Sequence, residues 1–155
     1  MKDNRFNPHS NITTVFFPRP LIVKASDSLP VIMPFLSRAQ AAEIVAGMLR
    51  GDDKDSFRRV AVDLADVITS MPILESDCDH SIAYLHYRGF GMEWFITEKG
   101  GNGKGIDHAF GCTVSNGDIH SAVYGVISIR DLLGRGVECD LHFNPSMLLY
   151  VQPCH

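Results

Sequence analysis

Glu138, Asp140 and His142 alternate along the run VECDLHF, residues 137–143. In an extended chain, alternate side chains share a face. Two carboxylates and an imidazole on one face have the chemistry to hold a divalent ion or to pass protons. Glu98 ends another strand-like run, MEWFITE, and is the fourth member of the set. These four are the candidate catalytic residues. The ordinary alternative is the wet face of an antiparallel strand, which is polar at every second position.

Other runs invite chemistry and lack a part of it. Gly100-Gly101-Asn102-Gly103-Lys104-Gly105 resembles a phosphate loop. A phosphate loop needs Ser or Thr after its lysine and then a helix. Here Gly105 follows and a strand-like run begins, so the segment reads as a connection. Glu75-Ser76-Asp77-Cys78-Asp79-His80 gathers acids, a thiol and an imidazole. Cys78-x-His80 is tighter than zinc-ligand spacing, so a solvated loop is expected. His86, His108 and His120 each stand alone in a strand-like run and read as hydrogen-bonded packing. There is no GxSxG elbow. No metal and no cofactor is assigned.

Candidate partner-binding residues come from two places. Tyr84, Tyr87, Phe90, Trp94 and Phe95 cluster in one hairpin, and Phe90 and Trp94 are carried forward, because aromatics dominate interface energetics. Asp63 and Asp66 lie off the apolar stripe of a helix, on its solvated face.

The elements that must position these residues fall into two parts. Residues 1–11 read as a flexible arm. ITTVFF (12–17) and LIVK (21–24) read as short strands split by Pro18-Arg19-Pro20, and LPVIM (29–33) as a third short apolar run. Ser37-Arg38-Ala39-Gln40 has capping-box form. Ala41, Ile44, Val45, Met48 and Leu49 follow at helical spacing, and Gly51 can end that helix. Phe57, Val60, Ala61, Leu64, Val67 and Ile68 form the apolar stripe of a second helix.

From residue 82 the pattern is β. IAYLHYR and MEWFITE flank Gly89-Phe90-Gly91, and HAFGCTV and DIHSAVYGVI flank Asn116-Gly117, a type I′ turn signal. Ser128 caps a short helix that ends near Gly134-Arg135-Gly136, residues 137–143 form a last strand, and 146–151 is ambiguous. The expected fold is therefore α+β, a mostly antiparallel β-sheet with a two-helix hairpin packed on one face. One domain is expected over residues 12–155, helical at about 37–69 and β at about 72–146.

Composition narrows the function classes. The 155 residues suit one domain, and 45% apolar with 21% charged residues argues against a disordered chain. A net charge of -4 is the wrong sign for a protein that coats duplex DNA, so no direct nucleic-acid binding is expected. The first residues lack an apolar signal core, and no apolar run approaches the roughly 18 residues of a membrane span. A soluble, cytoplasmic protein is expected, with Cys78, Cys112, Cys139 and Cys154 as free thiols.

The second half carries a family resemblance. Pro72-Ile73-Leu74, Glu93-Trp94-Phe95-Ile96-Thr97-Glu98, Phe110-Gly111, Ser128-Ile129-Arg130-Asp131-Leu132 and Glu138-Cys139-Asp140-Leu141-His142-Phe143-Asn144-Pro145 occur in that order. Over about residues 72–146 this resembles the bacterial and mobile-element family labelled domain of unknown function 2958. Three positions depart from its pattern. Cys139 stands where the family usually has Arg, Asp131 replaces a Glu, and Tyr124-Gly125 reverses a Gly-Tyr pair.

The resemblance implies cargo of plasmids, integrative elements and phages, sometimes near anti-restriction genes. It supplies no catalytic residues. The expected function is a non-enzymatic accessory protein that binds a host protein, a counter-defence inhibitor of the anti-CRISPR or anti-restriction type. An acidic inhibitor can occupy a basic channel by electrostatic complementarity. The alternative is a small hydrolytic or nucleotide-directed enzyme using Glu98, Glu138, Asp140 and His142, with or without a metal. A third expectation is a homodimer through exposed faces of the 82–98 hairpin.

Overall fold

The computed structural model describes residues 17–74 and 81–148. Helix α1 (Leu21–Ile32) leads through a 3-10 turn (Met33–Phe35) to α2 (Arg38–Leu49) and α3 (Lys54–Ser70). The helical layer thus has three helices, one more than the expected hairpin. The runs LIVK and LPVIM are not separate strands but the two ends of α1. Prolines at 18, 20 and 30 make each run look short. Yet Pro20 only precedes the helix, and Pro30 sits inside it on an exposed turn. Water can take the carbonyl that Pro30 leaves without a donor, while Ala25, Ser28 and Ile32 bury the other side. The expected arm (1–11) and most of the expected strand at 12–17 lie outside the described residues; Phe17 is exposed coil.

Ser37 caps α2 as expected: its hydroxyl accepts from the Gln40 amide at 3.2 Å. The reciprocal half of the capping box is missing. The Gln40 side chain crosses to the sheet instead, where its Nε2 donates to the Cys139 carbonyl at 2.7 Å. Its Oε1 accepts from the Cys139 amide at 3.1 Å. Helix α3 buries Ala61, Leu64 and Ile68 of the expected stripe and Ala65 besides, with Phe57, Val60 and Val67 of that stripe half-buried. Lys99 Nζ donates to the Ile68 carbonyl at 2.7 Å, satisfying an open carbonyl at the negative end of α3.

The strands are β1 (Ile82–Ala83), β2 (Leu85–Gly89), β3 (Met92–Glu98), β4 (Ala109–Ser115), β5 (Asp118–Ile127), β6 (Glu138–Cys139) and β7 (Ser146–Met147). Five of them form an antiparallel sheet in the order β5-β4-β3-β2-β6, and β1 pairs with β7 in a separate ribbon. Both expected hairpins form. Asn116 (φ 49°) and Gly117 (φ 70°) take the two left-handed positions of the β4–β5 turn, and Phe90 (φ 53°) and Gly91 (φ 72°) those of the β2–β3 turn. Gly111 is required for another reason: a Cβ there would overlap the Phe95 carbonyl across the ladder. Helix α4 (Ile129–Gly134) is capped by Ser128, whose hydroxyl accepts from the Asp131 amide at 3.2 Å.

Each face of the sheet contributes to a core, while the edge strand β5 stays largely exposed. Leu85, Tyr87, Ile96 and Cys139 join Ile32, Ile44 and Leu64 in the main core beneath the helices. The buried Tyr87 hydroxyl donates to the Phe35 carbonyl at 2.9 Å and ties the 3-10 turn to β2. Ala83, Cys112, Val114 and Leu148 form a second, smaller core, with Phe95, Tyr124 and Phe143 against it.

Strand 137–143 is cut short. Its regular pairing ends at Cys139, because Asp140 turns the chain. The Asp140 carboxylate accepts from the His142 amide at 3.1 Å, and the Asp140 carbonyl from the Phe143 amide at 3.2 Å. That is an Asx turn. Val137 and Cys139 therefore face the main core as expected, whereas Phe143 packs in the second one. Cys112 and Cys139 are buried free thiols, as expected. Cys78, Cys154 and residues 149–151 of the ambiguous last run lie outside the described residues.

Candidate functional site

Asp140 is the sequence candidate with the most partners. It sits opposite His86 across the β2–β6 ladder, and its amide donates to the His86 carbonyl at 2.8 Å. Its Oδ2 lies 3.4 Å from His86 Nδ1 and 3.6 Å from an Arg88 guanidinium nitrogen. On the other side, His86 Nε2 is 3.4 Å from Glu93 Oε1, within ion-pair range but not aligned for a hydrogen bond. The imidazole stacks on Phe95, with centroids 4.6 Å apart and planes within 7°, and Phe143 approaches it at 5.4 Å. His86 is thus a buried imidazole held between two carboxylates. Glu138 lies opposite Arg88, exposed, at the edge of the same ladder.

The other two candidates lie elsewhere. His142 follows the Asx turn, is exposed, and borders a groove of about 240 Å³ beside α3 with Val60, Asp63 and Leu64. Glu98 is fully buried at the end of β3, opposite Phe110, and its Oε2 accepts from the Thr97 hydroxyl at 2.8 Å. The expected single face of Glu138, Asp140 and His142 is lost because the strand stops before residue 142.

His86 is hydrogen-bonded packing, as expected, but the sequence reading did not join it to Asp140, and it passed over Arg88 and Glu93. A signal was present. A two-residue turn at Phe90-Gly91 pairs Arg88 with Glu93 and His86 with Phe95, and the ladder has that register. The docking of β6 beside β2, which brings in Asp140, has no local signature. Beneath this cluster Cys139 is pushed up to about 12, first by burial and then by the Asp140 charge, with the Tyr87 hydroxyl opposing. Burial raises Tyr87 well above its ordinary value, and Cys139 adds to this. Both groups are held neutral and inert near neutral pH.

A different surface is open. Met33 and Leu36 at the 3-10 turn, with Ala42, Val45, Ala46 and Leu49 on α2, line a groove of about 700 Å³. These α2 positions fall at i, i+3, i+4 and i+7, the spacing of a helix-packing seam. The core-facing side of α2 is a second apolar set, including Ala41, Ile44 and Met48. The sequence pattern had merged the two sets; Leu49 is 61% exposed and does not belong to the buried stripe. A helix apolar on both sides is normally buried on both. Arg38 and Arg50 border the groove, one at each end of α2. Neither has an ion-pair partner among the described residues.

The partner-binding candidates divide similarly. Phe90 is 78% exposed at the tip of the β2–β3 turn, whereas Trp94 is half-buried against the main core. Asp63 and Asp66 are exposed on α3, as expected. On the 82–98 hairpin expected to offer exposed faces for a homodimer, Ile82, Arg88, Phe90 and Gly91 are exposed, and much of the rest is packed within the chain. Leu85, Tyr87 and Ile96 are buried in the main core on one side, and His86 and Phe95 lie under the second-core residues on the other. The Glu75–His80 segment lies outside the described residues. Among the described residues no group of three His, Cys, Asp or Glu side chains is placed to hold a metal ion, and no helix is long and apolar enough to cross a membrane.

No family model, curated protein or solved structure matches the chain.

Proposed function

We propose that this protein is a non-enzymatic accessory protein of a phage or plasmid that acts in the bacterial cytoplasm by binding a host protein. The target class is a defence complex, a CRISPR effector or a restriction enzyme. The observation that carries the binding reading is the bare apolar groove on α2. Covering side chains such as Leu49 and Met33 stabilises a complex by about 1.5–3 kcal/mol for each one fully buried. The mobile-element reading is supported by the resemblance to domain of unknown function 2958. The net charge of -4 and the exposed Asp63 and Asp66 support electrostatic steering toward a basic target.

The test is capture by the tagged full chain from lysates of bacteria carrying CRISPR and restriction systems, read by mass spectrometry beside a Leu49→Lys variant. A stoichiometric host protein that the variant loses is the expected result. The same proteins on both baits, or the bait alone, would sink the reading.

A second reading, a small hydrolytic or nucleotide-directed enzyme, is favoured by one observation. Asp140 orients the imidazole of His86 as a carboxylate orients a catalytic base. Burial of that imidazole speaks against it. Turnover of a nucleotide or phosphoester panel that Asp140→Asn abolishes would favour the enzyme.

A further inference from the structure

We propose that the α2 groove takes an amphipathic helix of the partner, one whose apolar stripe is flanked at both ends by carboxylates. This deepens the binding reading and rests on it.

Three features of the groove select the occupant. Its lining combines the small side chains of Ala41, Ala42 and Ala46 with the larger Val45, Leu49, Met33 and Leu36. Alanines at three of those positions let another helix approach to the usual interaxial distance of about 8–10 Å. Between Arg38 and Arg50 the lining side chains are apolar. An extended segment laid there would bury backbone N–H and C=O groups against side chains that cannot pair with them. A helix satisfies its own backbone and asks only for apolar contact, which is the helix-in-groove mode of recognition.

The third feature is charge. Arg38 and Arg50 are twelve positions apart, hence about 18 Å along the axis. Arg19, Arg58, Arg88 and Arg130 each lie in an ion pair with an aspartate of this chain. Arg38 and Arg50 do not, among the described residues. Arg59 and Arg135 likewise lack one there, but only Arg38 and Arg50 border the groove, so two cations without an ion-pair partner among the described residues flank it on a chain of net charge -4. A second copy is the wrong occupant. Antiparallel pairing of two α2 helices sets Arg38 of one against Arg50 of the other, and parallel pairing sets each arginine against itself. Like charges brought together this way oppose association. A partner helix with carboxylates about 11 residues apart, three turns and so on one face, meets both arginines.

The experiment uses the full chain and two synthetic, fluorescein-labelled helical peptides with the same Leu/Ala stripe. One carries Glu pairs at both ends of the stripe and the other Lys pairs. Binding is read by fluorescence anisotropy at low salt, and the oligomeric state by sedimentation. The Glu peptide is expected to bind about tenfold more tightly than the Lys peptide. The double variant Arg38→Glu/Arg50→Glu is expected to invert that preference, and Leu49→Lys to weaken both peptides. Both arginines and Leu49 lie on the surface, so unchanged circular dichroism melts keep these variants interpretable.

Equal binding of the two peptides overturns the inference while leaving a groove-bound host protein standing. Binding of neither peptide to a monomeric chain overturns it outright. A dimer that Leu49→Lys dissociates overturns it in favour of a second copy. Conversely, the expected charge preference without any host protein captured from lysate is a failure of the proposed function alone.

Discussion

The polar cluster around His86 and the groove on α2 lie on opposite faces of the sheet–helix pair, and they use their side chains in opposite ways. The cluster holds the residue types that do chemistry, yet its groups are turned on one another. Asp140 meets His86 and Arg88, and His86 meets Glu93. Phe95 and Phe143 close over the ring. The groove holds almost no chemistry, only apolar side chains and two cations, and it is open. Reactive residue types mark a clamp on β6 here, and unreactive ones mark the free surface. Gln40 connects the two regions, because it leaves the inner face of α2 and grips the backbone of Cys139, next to Asp140.

The comparison breaks most completely at alkaline pH. Cys139 is pushed up to about 12 from an ordinary 9.0, so it favours the folded state fully below pH 9 and progressively less as pH rises toward 12. Over those three pH units the loss is on the order of 4 kcal/mol, and Tyr87, also raised, adds in the same direction above pH 10. Chemical denaturation measured from pH 8 to 11 should show this decline, and Cys139→Ala should delay its onset into the Tyr87 range. A native Cys139 that reacts rapidly with a thiol reagent at pH 8 would contradict the account.

Gln40→Ala comes next. It leaves the buried Cys139 amide and carbonyl without their partners and should destabilise the fold by about 3 kcal/mol in urea denaturation. A loss no larger than that of an ordinary surface substitution would mean that the Gln40 side chain does not hold the Cys139 backbone. Asp140→Ala removes the carboxylate facing His86 and the acceptor of the Asx turn. About 1–2 kcal/mol is expected, with the His86 ring resonances broadened in NMR spectra. The smallest effect belongs to the open region: Leu49→Lys should change stability by no more than about 0.5 kcal/mol. A larger loss of stability would mean that the outer face of α2 is covered within this chain.

Legibility followed locality. Asn116-Gly117 and the apolar stripe of α3 are short-range patterns, and both elements form where they were expected. The α+β class follows from them. The run at 21–33 misled because its prolines punctuate the sequence, whereas packing of α1 against α3 decides the helix. Strand 137–143 misled because Asp140 could either alternate outward or close a turn on its own backbone. Of the four catalytic candidates, only Asp140 proved to be a hub. Its partner His86 is 54 residues away and becomes its neighbour only when β6 pairs with β2.

The sequence by itself determined the elements whose information is carried by neighbours in the chain: two hairpins, the capped helices and an excess of apolar residues on α2. Only the tertiary structure decided which of those apolar residues are buried and which stay open. It also decided that the carboxylates and imidazole of the second half serve as a clamp rather than as one face of a strand. The physical reason is the same in both cases. Burial and ion pairing depend on which distant segment is brought alongside, and that choice is made by the whole core at once.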